Sequence, residues 1–404
     1  MSNNNTAITN AFVITPDRVL EDAAVGIRDG VIAEVVEDGR LQGDYESWVD
    51  AHGAYVMPGV IDLHNDSLEV EINPRPETNL AVEFALANLE RRLMFSGVTT
   101  EFHAIAFMDN ARARRTAAQA GERAAFLADY NRSGGQLVDH QILHRLDVWS
   151  PGSLDMIFES LERLDVRYVS INDHTPGQGQ YRDLDGYKER MVQWSERRGG
   201  GKEFTAEAIE ERMRERSTDN ETIPQVYRRI WEECRRLAFT ISSHDDDSPE
   251  KVDALNDLGA SMSEFPVDVP SARQARERGM RIIVGAPNIV RGGSSSGNQS
   301  ARELFALGLA DIICADYHAP SLLPAAFALV DDNVVGLPEA MRALTLNPAR
   351  AVGLNDRGAI EPGLSADVIL VRRTRRSFPT VERVIRNGIE RMSLNAQQPA
   401  EVPA

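Results

Sequence analysis

The sequence predicts an α/β fold, a (β/α)8 TIM barrel with a small β-sandwich domain that is formed from both termini. Eight apolar, β-branched segments alternate with amphipathic segments through the middle of the 404-residue chain. Strand and turn signals recur at both ends, on either side of that middle. We therefore place the sandwich at residues 1–55 and 355–392, the barrel at residues 56–354, and a tail at residues 393–404.

Short strands joined by turns are predicted at both ends of the chain. Ala7–Ile14 and Ala23–Ile27 are rich in apolar and β-branched residues, and the hairpin-turn pair Asp29-Gly30 precedes Val31–Val36. Similar segments near the other end are Ala366–Val371, Val381–Ile385 and the turn pair Asn387-Gly388. Two β-rich ends around a long middle favour one sheet domain to which both ends contribute.

The middle of the chain contains eight predicted strands. They lie at residues 55–61, 98–103, 138–147, 166–172, 238–243, 259–264, 281–286 and 311–315. Most of the segments between them have apolar residues at spacings of three and four, as in Ile223–Ala238, which is typical of a helix face. Eight strand–helix units over about 290 residues suit a barrel. A doubly wound open sheet is the alternative that the strand count leaves open.

A charged segment interrupts this alternation at residues 183–222. It is rich in Arg, Lys and Glu, and it is broken by the run Arg197–Lys202, which contains three glycines. We predict a solvated helical insertion between two strands. A mobile lid with basic side chains is an alternative that is compatible with this prediction.

The charge balance limits the partners of the protein. The chain has 62 acidic and 44 basic residues and a net charge of −18, which repels nucleic acids and anionic membranes. Neither a membrane span nor a secretion signal is recognisable. The two cysteines, Cys234 and Cys314, are too few for a disulfide framework. We expect a soluble cytoplasmic protein that binds neither nucleic acid nor membranes, and homo-oligomerisation stays open.

Histidine and carboxylate side chains follow the ends of several predicted strands. Five of the eight histidines lie at such ends, namely His64, His103, His174, His244 and His318. The carboxyl ends of barrel strands meet on one face, where catalytic residues collect. His, Asp and Glu that converge there are a metal site more often than a nucleophile site.

The predicted metal ligands are His64, Asp66, Asp147, His174, His244 and Asp316. Such ligands suit one or two divalent ions, with Zn, Mn and Fe as candidates. A bound divalent ion lowers the pKa of a coordinated water to about 7, which provides a nucleophile at neutral pH. For Asp147, an ion pair with the nearby Arg145 is the alternative role.

Two loops on the same face have residues that suit a small anionic substrate. Residues 175–182 follow His174, and residues 291–298 begin with Arg291 and continue with glycines and serines. Glycine permits close approach of the backbone, and Ser, Asn and backbone N–H groups can surround the oxygens of an anion. Arg75 adds a guanidinium for a bidentate phosphate contact. Flexible surface turns are the alternative for both loops.

Val56–His64 resembles the first-strand signature of the amidohydrolase superfamily, and Gly358–Val368 is similar to the return of its chain into the small β domain. Within that superfamily, five segments resemble the diphosphatase family of the carbon–phosphorus-lyase (phosphonate utilisation) pathway. They are His64–Glu69 with Pro74–Pro76, Asp173–Gln178, Ser243–Asp246, Gly285–Asn288 with Arg291–Gly293, and Asp316–Tyr317 with Ser321–Leu323.

The resemblance implies that α-D-ribose 1-methylphosphonate 5-triphosphate is hydrolysed to the 5-phosphate and pyrophosphate. It implies metals on the six ligands, with Asp147 as the bridging carboxylate and Asp316 as the catalytic acceptor of a proton from the attacking water. Our own candidates for contacts to the phosphates are Arg75, Gln178, Arg182 and Arg291.

The chain departs from the family's pattern at four positions. Asp147 stands where the family has Glu, Ser295 where the glycine-rich loop has His, and His103 where an acidic residue is expected. His318 adds an imidazole beside Asp316, and we expect both Ser295 and His318 to face the substrate. These changes leave two alternatives open: hydrolysis of a C–N bond in an N-acyl or cyclic amide, and a homologue that binds a ligand without turnover.

Overall fold

The structure is a computed structural model that describes residues 5–75, 78–109, 116–173, 221–294, 298–373 and 378–394, together with positions 211, 214 and 219. Its strands form two sheets, one from the ends of the chain and one from the middle. Most of the predicted insertion at 183–222 and of the tail at 393–404 lies outside the described residues.

Eight strands from the two ends of the chain form the terminal sheet. They are β1 (Thr6–Ile14), β2 (Val19–Arg28), β3 (Val31–Val36), β4 (Ser47–Asp50), β5 (Tyr55–Pro58), β14 (Val368–Arg372), β15 (Thr380–Arg386) and β16 (Ile389–Ser393). Their order is β16-β15-β14-β5-β1-β2-β3, with β4 beside β1. The strand β1 is antiparallel to β2 and parallel to both β4 and β5. Both ends of the chain therefore contribute to one domain, as predicted.

The two edge hairpins of the terminal sheet meet, so the sheet curls around its own buried core. The turn between β2 and β3 has φ values of 50° at Asp29 and 82° at Gly30, and the turn between β15 and β16 has 50° at Asn387 and 72° at Gly388. Two positive φ angles are what a type I′ hairpin turn requires. A Cβ atom added to Gly388 would lie 2.8 Å from the Cα atom of Gly30, so the two turns are in backbone contact.

We expect Gly388→Ala to destabilise the protein by roughly 1–3 kcal/mol, because alanine is strained at positive φ and its Cβ would meet the backbone of Gly30. Gly363→Ala is the matched control, since Gly363 has a φ of 93° but no atom within 4 Å of an added Cβ. Thermal unfolding should show the larger loss of Tm for Gly388→Ala. Equal losses in the two variants would argue against contact between the turns.

Eight parallel strands form the barrel. They are β6 (Val60–Asn65), β7 (Val98–Phe107), β8 (Asp139–Asp147), β9 (Tyr168–Asn172), β10 (Thr240–His244), β11 (Met262–Glu264), β12 (Arg281–Gly285) and β13 (Ile312–Cys314). The outermost strands in this order, β6 and β13, meet where the backbone N–H of Asp316 donates to the carbonyl of His64 at 2.9 Å. The N–H of Asp66 donates in turn to the carbonyl of Asp316 at 2.7 Å. This contact closes the barrel and excludes the open sheet.

Helices follow the barrel strands and cover them. They are α1 (Ser67–Ile72), α2 (Val82–Phe95), α3 (Ala117–Ser133), α4 (Leu154–Glu162), α5 (Thr222–Leu237), α6 (Pro249–Asp257), α7 (Val269–Glu277), α8 (Ala286–Arg291), α9 (Ala301–Ala306), α10 (Leu322–Asp331), α11 (Leu337–Arg342) and α12 (Leu346–Ala351). The helix predicted in Ile223–Ala238 is α5, which buries Val226, Ile230 and Leu237. Among the described helices, none combines the length and apolarity needed to cross a bilayer.

The first predicted strand differs from the structure. Residues 55–61 were expected to form one barrel strand, but β5 ends at Pro58 and pairs with β14 in the terminal sheet. The barrel strand β6 begins at Val60, after Gly59, whose N–H donates to the carbonyl of Asp367 at 2.8 Å. Both strands are buried, so the apolar run does not show where the chain passes from one sheet to the other.

Alternate side chains of the barrel strands point into the barrel. At the amino ends of the strands these inward residues include Leu143, Tyr168, Met262, Ile283 and Ile312, which belong to one buried cluster. Towards the carboxyl ends the inward positions become polar, with Arg145 and Asp147 on β8, Ser170 and Asn172 on β9, Ser242 and His244 on β10, and Glu264 on β11. This change places a polar site at the mouth of the barrel.

Candidate metal centre and substrate cavity

Closure of the barrel brings His64, Asp66 and Asp316 together. One potential ligand atom from each lies within 4.8 Å of the others, and the Nε2 atom of His64 is 3.8 Å from Oδ1 of Asp66. Beneath them, the Asp62 carboxylate accepts the N–H groups of His64 at 3.3 Å and of Ala315 at 2.9 Å. Asp316 has a φ of 59°, a strained conformation of the kind found at functional sites. The backbone contact between β6 and β13 therefore sets the spacing of these three groups.

A second cluster shares His64. It consists of His64, His244 and Glu264, again with ligand atoms within 4.8 Å of one another. The Nδ1 atom of His64 lies 3.2 Å from Oε2 of Glu264, and Nδ1 of His244 lies 3.0 Å from Oδ2 of Asp245. Both buried histidines thus have a carboxylate at Nδ1, which leaves Nε2 for another partner.

Arg145 lies inside the mouth of the barrel and pairs with a predicted ligand. Its guanidinium donates to Oδ1 of Asp66 at 2.9 Å and to Oδ1 of Asn172 at 2.9 Å. Burial alone would raise the pKa of Asp66, but the charges of Arg145 and His64 hold that pKa well below its usual range. Arg145, which was considered as an ion-pair partner of Asp147, thus forms an ion pair with Asp66.

Burial and charge also change the pKa values of His64 and Asp316. Burial would lower the pKa of His64, but the negative charges of Glu264 and Asp66 raise it to about 10. Burial raises the pKa of Asp316 to about 6. At neutral pH the metal-free site therefore holds a protonated His64 beside ionised Asp66 and largely ionised Asp316.

The sites of the other predicted ligands differ. Asp147 is buried at the end of β8 and accepts the backbone N–H of Trp149 at 2.8 Å. Among the described residues, Asp147 belongs to neither of the two clusters whose ligand atoms lie within 4.8 Å of one another. His174, together with Gln178, Arg182 and Ser295, lies outside the described residues. His103 faces away from the site, because its Nε2 contacts His140 Nδ1 at 2.8 Å, and His140 in turn contacts Glu90 of α2.

A cavity of about 270 Å³ opens above the two clusters. His64, Asp66, His244, Asp316, Arg145 and Arg291 all line it, and Ser294 and Asn298 extend the lining along the glycine-rich loop. Two cationic side chains therefore share the cavity with the candidate ligands. Arg75 and His318 are exposed and are not among the described residues that line this cavity; Arg75 donates instead to the Thr78 hydroxyl at 3.2 Å.

The donor set fits a divalent metal ion. His64 offers a nitrogen, and Asp66 and Asp316 offer carboxylate oxygens at spacings that one ion can bridge. A neutral imidazole and ionised carboxylates are the forms in which these side chains bind such ions. Nitrogen and oxygen ligands of this kind suit several divalent metals, so the residues fit the class of ion rather than one element.

Sequence comparison identifies the family. No protein-family model matches the chain. The chain is 31% identical over 369 residues to the α-D-ribose 1-methylphosphonate 5-triphosphate diphosphatase of Escherichia coli (strain K12), a match that covers 91% of this chain and 95% of that protein. The chain belongs to the family of this diphosphatase. The resemblance given by the sequence motifs is thereby confirmed.

Solved structures share the fold of this diphosphatase family member. An enamidase described as a member of the amidohydrolase superfamily aligns with a TM-score of 0.64 at 17% identity over 99% of each chain. The N-acetylglucosamine-6-phosphate deacetylase of Pasteurella multocida has a TM-score of 0.63 at 11% identity, covering 96% of this chain and 99% of that one. An adenosine deaminase from Xanthomonas campestris with bound zinc has a TM-score of 0.59 at 15% identity, covering 98% and 95%. The chain is a hydrolase with the amidohydrolase fold.

The motifs of the diphosphatase family did not identify Glu264, which contacts Nδ1 of His64, or Arg145, which lines the cavity. Residues 259–264 were recognised as a strand, and Glu264 is its last residue, as Asp147 is of β8. The rule that selected carboxylates at strand ends therefore applies equally to Glu264. Arg145 lies two residues from both Leu143 and Asp147 on β8. Its side chain therefore points into the barrel, as theirs do.

We expect metal binding by this diphosphatase family member to release about one proton per ion at neutral pH, because an ion at Nε2 of His64 displaces a proton whose pKa is about 10. The apparent affinity should then rise about tenfold per pH unit between roughly pH 6.5 and 8.5. Below the Asp316 pKa of about 6 the dependence should steepen. Calorimetric titration in buffers of different ionisation enthalpy measures the number of protons released, and repeating it at several pH values measures the change in affinity. An affinity independent of pH would contradict this protonation scheme.

Proposed function

We propose that the protein hydrolyses a phosphoanhydride of α-D-ribose 1-methylphosphonate 5-triphosphate to give the 5-phosphate and pyrophosphate. The observation that carries the proposal is the shared cavity, in which the candidate ligands His64, Asp66 and Asp316 stand beside Arg145 and Arg291. Family membership supports the same substrate. The net charge of −18 does not oppose it, because a bound cation and two arginines reverse the potential inside one pocket.

His64, Asp66 and Asp316 would hold the ion, with His244 beside them. A divalent ion supplies Lewis acidity, which makes water a nucleophile at neutral pH. Asp316 would accept the proton from the attacking water, a role that suits a carboxylate on the cavity wall beside the ion. Asp147 and His174 remain candidates for a second ion.

The arginines bind and orient the phosphate chain. Arg145 is fixed by Asp66 and Asn172 through two of its nitrogens, so its guanidinium plane has one orientation in the cavity. Arg291 is the last residue of α8 and lines the same cavity, beside the glycine-rich loop. Guanidinium groups bind phosphate oxygens in pairs and neutralise charge that develops on the leaving pyrophosphate. Gln178, Arg182 and Ser295 are proposed as further contacts.

Substrate turnover tests the proposed function. Metal-loaded protein is incubated with the ribose triphosphate and, separately, with a panel of N-acyl and cyclic amides. Metal-dependent release of pyrophosphate supports the proposal. Turnover of an amide without pyrophosphate release would show hydrolysis of a C–N bond instead. Tight binding of the triphosphate with no turnover of any compound would show a homologue that binds without catalysis.

A further inference from the structure

His64 lies between two carboxylates that approach different nitrogens of its ring. Oε2 of Glu264 is 3.2 Å from Nδ1, and Oδ1 of Asp66 is 3.8 Å from Nε2. The ring is 1% exposed, so its orientation depends on these neighbours rather than on solvent. Both carboxylates belong to sets of ligand atoms that could hold an ion. Which of the two is a ligand decides on which side of His64 the ion lies.

Every hydrogen-bonding position of Glu264 is already used. Oε1 accepts the hydroxyl of Tyr168 and, at 2.8 Å, that of Ser242. Oε2 accepts the hydroxyl of Ser170 at 2.9 Å in addition to Nδ1 of His64. A carboxylate has about four lone-pair positions. Glu264 could therefore bind an ion only after giving up one of these buried bonds, and the loss would leave a donor unsatisfied.

Asp66 is in a different situation. It lies at the cavity wall and is partly exposed. Among the hydrogen bonds of the described side chains, its Oδ1 accepts one, from Arg145. Asp316, also on the wall, completes the set on the Nε2 side of His64. The side of the ring that faces the cavity thus has oxygens available for coordination, and the side that faces the barrel interior does not.

We propose that Glu264 is a positioning residue and not a metal ligand: it holds the Nδ1–H of His64 so that Nε2 faces an ion shared with Asp66 and Asp316. A carboxylate behind a ligating histidine fixes its tautomer and increases its basicity. His244 has the same arrangement, with Asp245 at its Nδ1. This inference rests on the metal-dependent function proposed above.

Cobalt binding by Glu264→Gln tests the inference. The glutamine keeps the shape of the side chain but loses the charge, so we expect the Kd for Co²⁺ to increase about 10- to 100-fold, with the wild-type number of ions still bound at saturation. Glu90→Gln is the matched control, because Glu90 is also buried and accepts from a histidine, His140, at 2.9 Å, outside the site. Its Kd should equal that of the wild type. An unchanged Kd in Glu264→Gln, or a smaller number of ions at saturation, would overturn the proposal.

A crystal structure of the Co²⁺-loaded wild-type protein decides the matter even if Glu264→Gln fails to fold. We expect Nε2 of His64 at about 2.0–2.2 Å from the ion, and both oxygens of Glu264 well outside that distance. Coordination by Glu264 would overturn the proposal. Neither experiment uses a substrate, so a failure here leaves the phosphoanhydride proposal standing, and a failure to release pyrophosphate leaves the role of Glu264 standing.

Discussion

We expect Asp316→Asn to lower kcat/KM for the proposed ribose triphosphate substrate by about 10³-fold or more, which is the effect of removing a general base. The amide has nearly the shape of the carboxylate but cannot accept a proton from the attacking water. It is also a weaker ligand, so the metal content of the variant is measured beside its activity. Steady-state pyrophosphate release at saturating metal concentration gives the comparison.

Asp332→Asn is the matched control for this substitution. Asp332 is exposed, directly follows α10 and pairs with Arg302; it is not among the described residues that line the cavity. We expect its kcat/KM to equal that of the wild type. If Asp316→Asn keeps its metal and retains more than a tenth of the wild-type activity, another group accepts the proton, and the role assigned to Asp316 is wrong.

We expect replacement of Arg145 with Met to lower kcat/KM by about 10²-fold or more, because it removes a cation that would neutralise charge developing on the phosphates. The substitution removes a cation from the cavity and leaves Asp66 without its partner at 2.9 Å. Arg145→Lys should not restore activity, since a lysine cannot contact Asp66 and Asn172 in the forked geometry of a guanidinium.

Arg163→Met provides the control for Arg145. Arg163 is exposed and pairs with Glu159 one helical turn away, outside the barrel mouth. Its loss should leave kcat/KM unchanged. Wild-type kcat/KM in Arg145→Lys would show that a point charge is sufficient and would contradict the oriented phosphate contact that we propose.

The barrel could be predicted from the sequence because its signals are local. Each strand is a short apolar run, and each helix has its own spacing, as in α5. The crossing from β5 to β6 could not be predicted, because both strands are buried and the apolar run continues across Gly59. Closure of the barrel was also undetermined, since it depends on backbone contacts between His64 and Asp316, which are distant in sequence.

Candidate ligands could be predicted where a strand fixes the direction of the side chain. His64 and His244 lie on β6 and β10, Asp66 and Asp316 follow the ends of β6 and β13 within two residues, and all four line the cavity. The predictions for Arg75 and His318 depended on loops, where sequence does not fix the direction; both residues are exposed, and neither is among the described residues that line the cavity. Arg145 was considered only beside its sequence neighbour Asp147. Its partner Asp66 directly follows β6, 79 residues away in the sequence, and the barrel fold brings the two together.

The position of the cleaved bond tests the central claim most directly. The metal-loaded protein is supplied with the ribose triphosphate in H₂¹⁸O, and the products are observed by ³¹P NMR, where ¹⁸O shifts the resonance of the phosphorus that it joins. We predict the 5-phosphate and pyrophosphate as products, with ¹⁸O on one of the two phosphorus atoms of the broken anhydride and no product after chelation of the metal. Release of orthophosphate in place of pyrophosphate would contradict cleavage of the inner anhydride, and an unlabelled set of phosphorus products would contradict phosphoanhydride hydrolysis at this site.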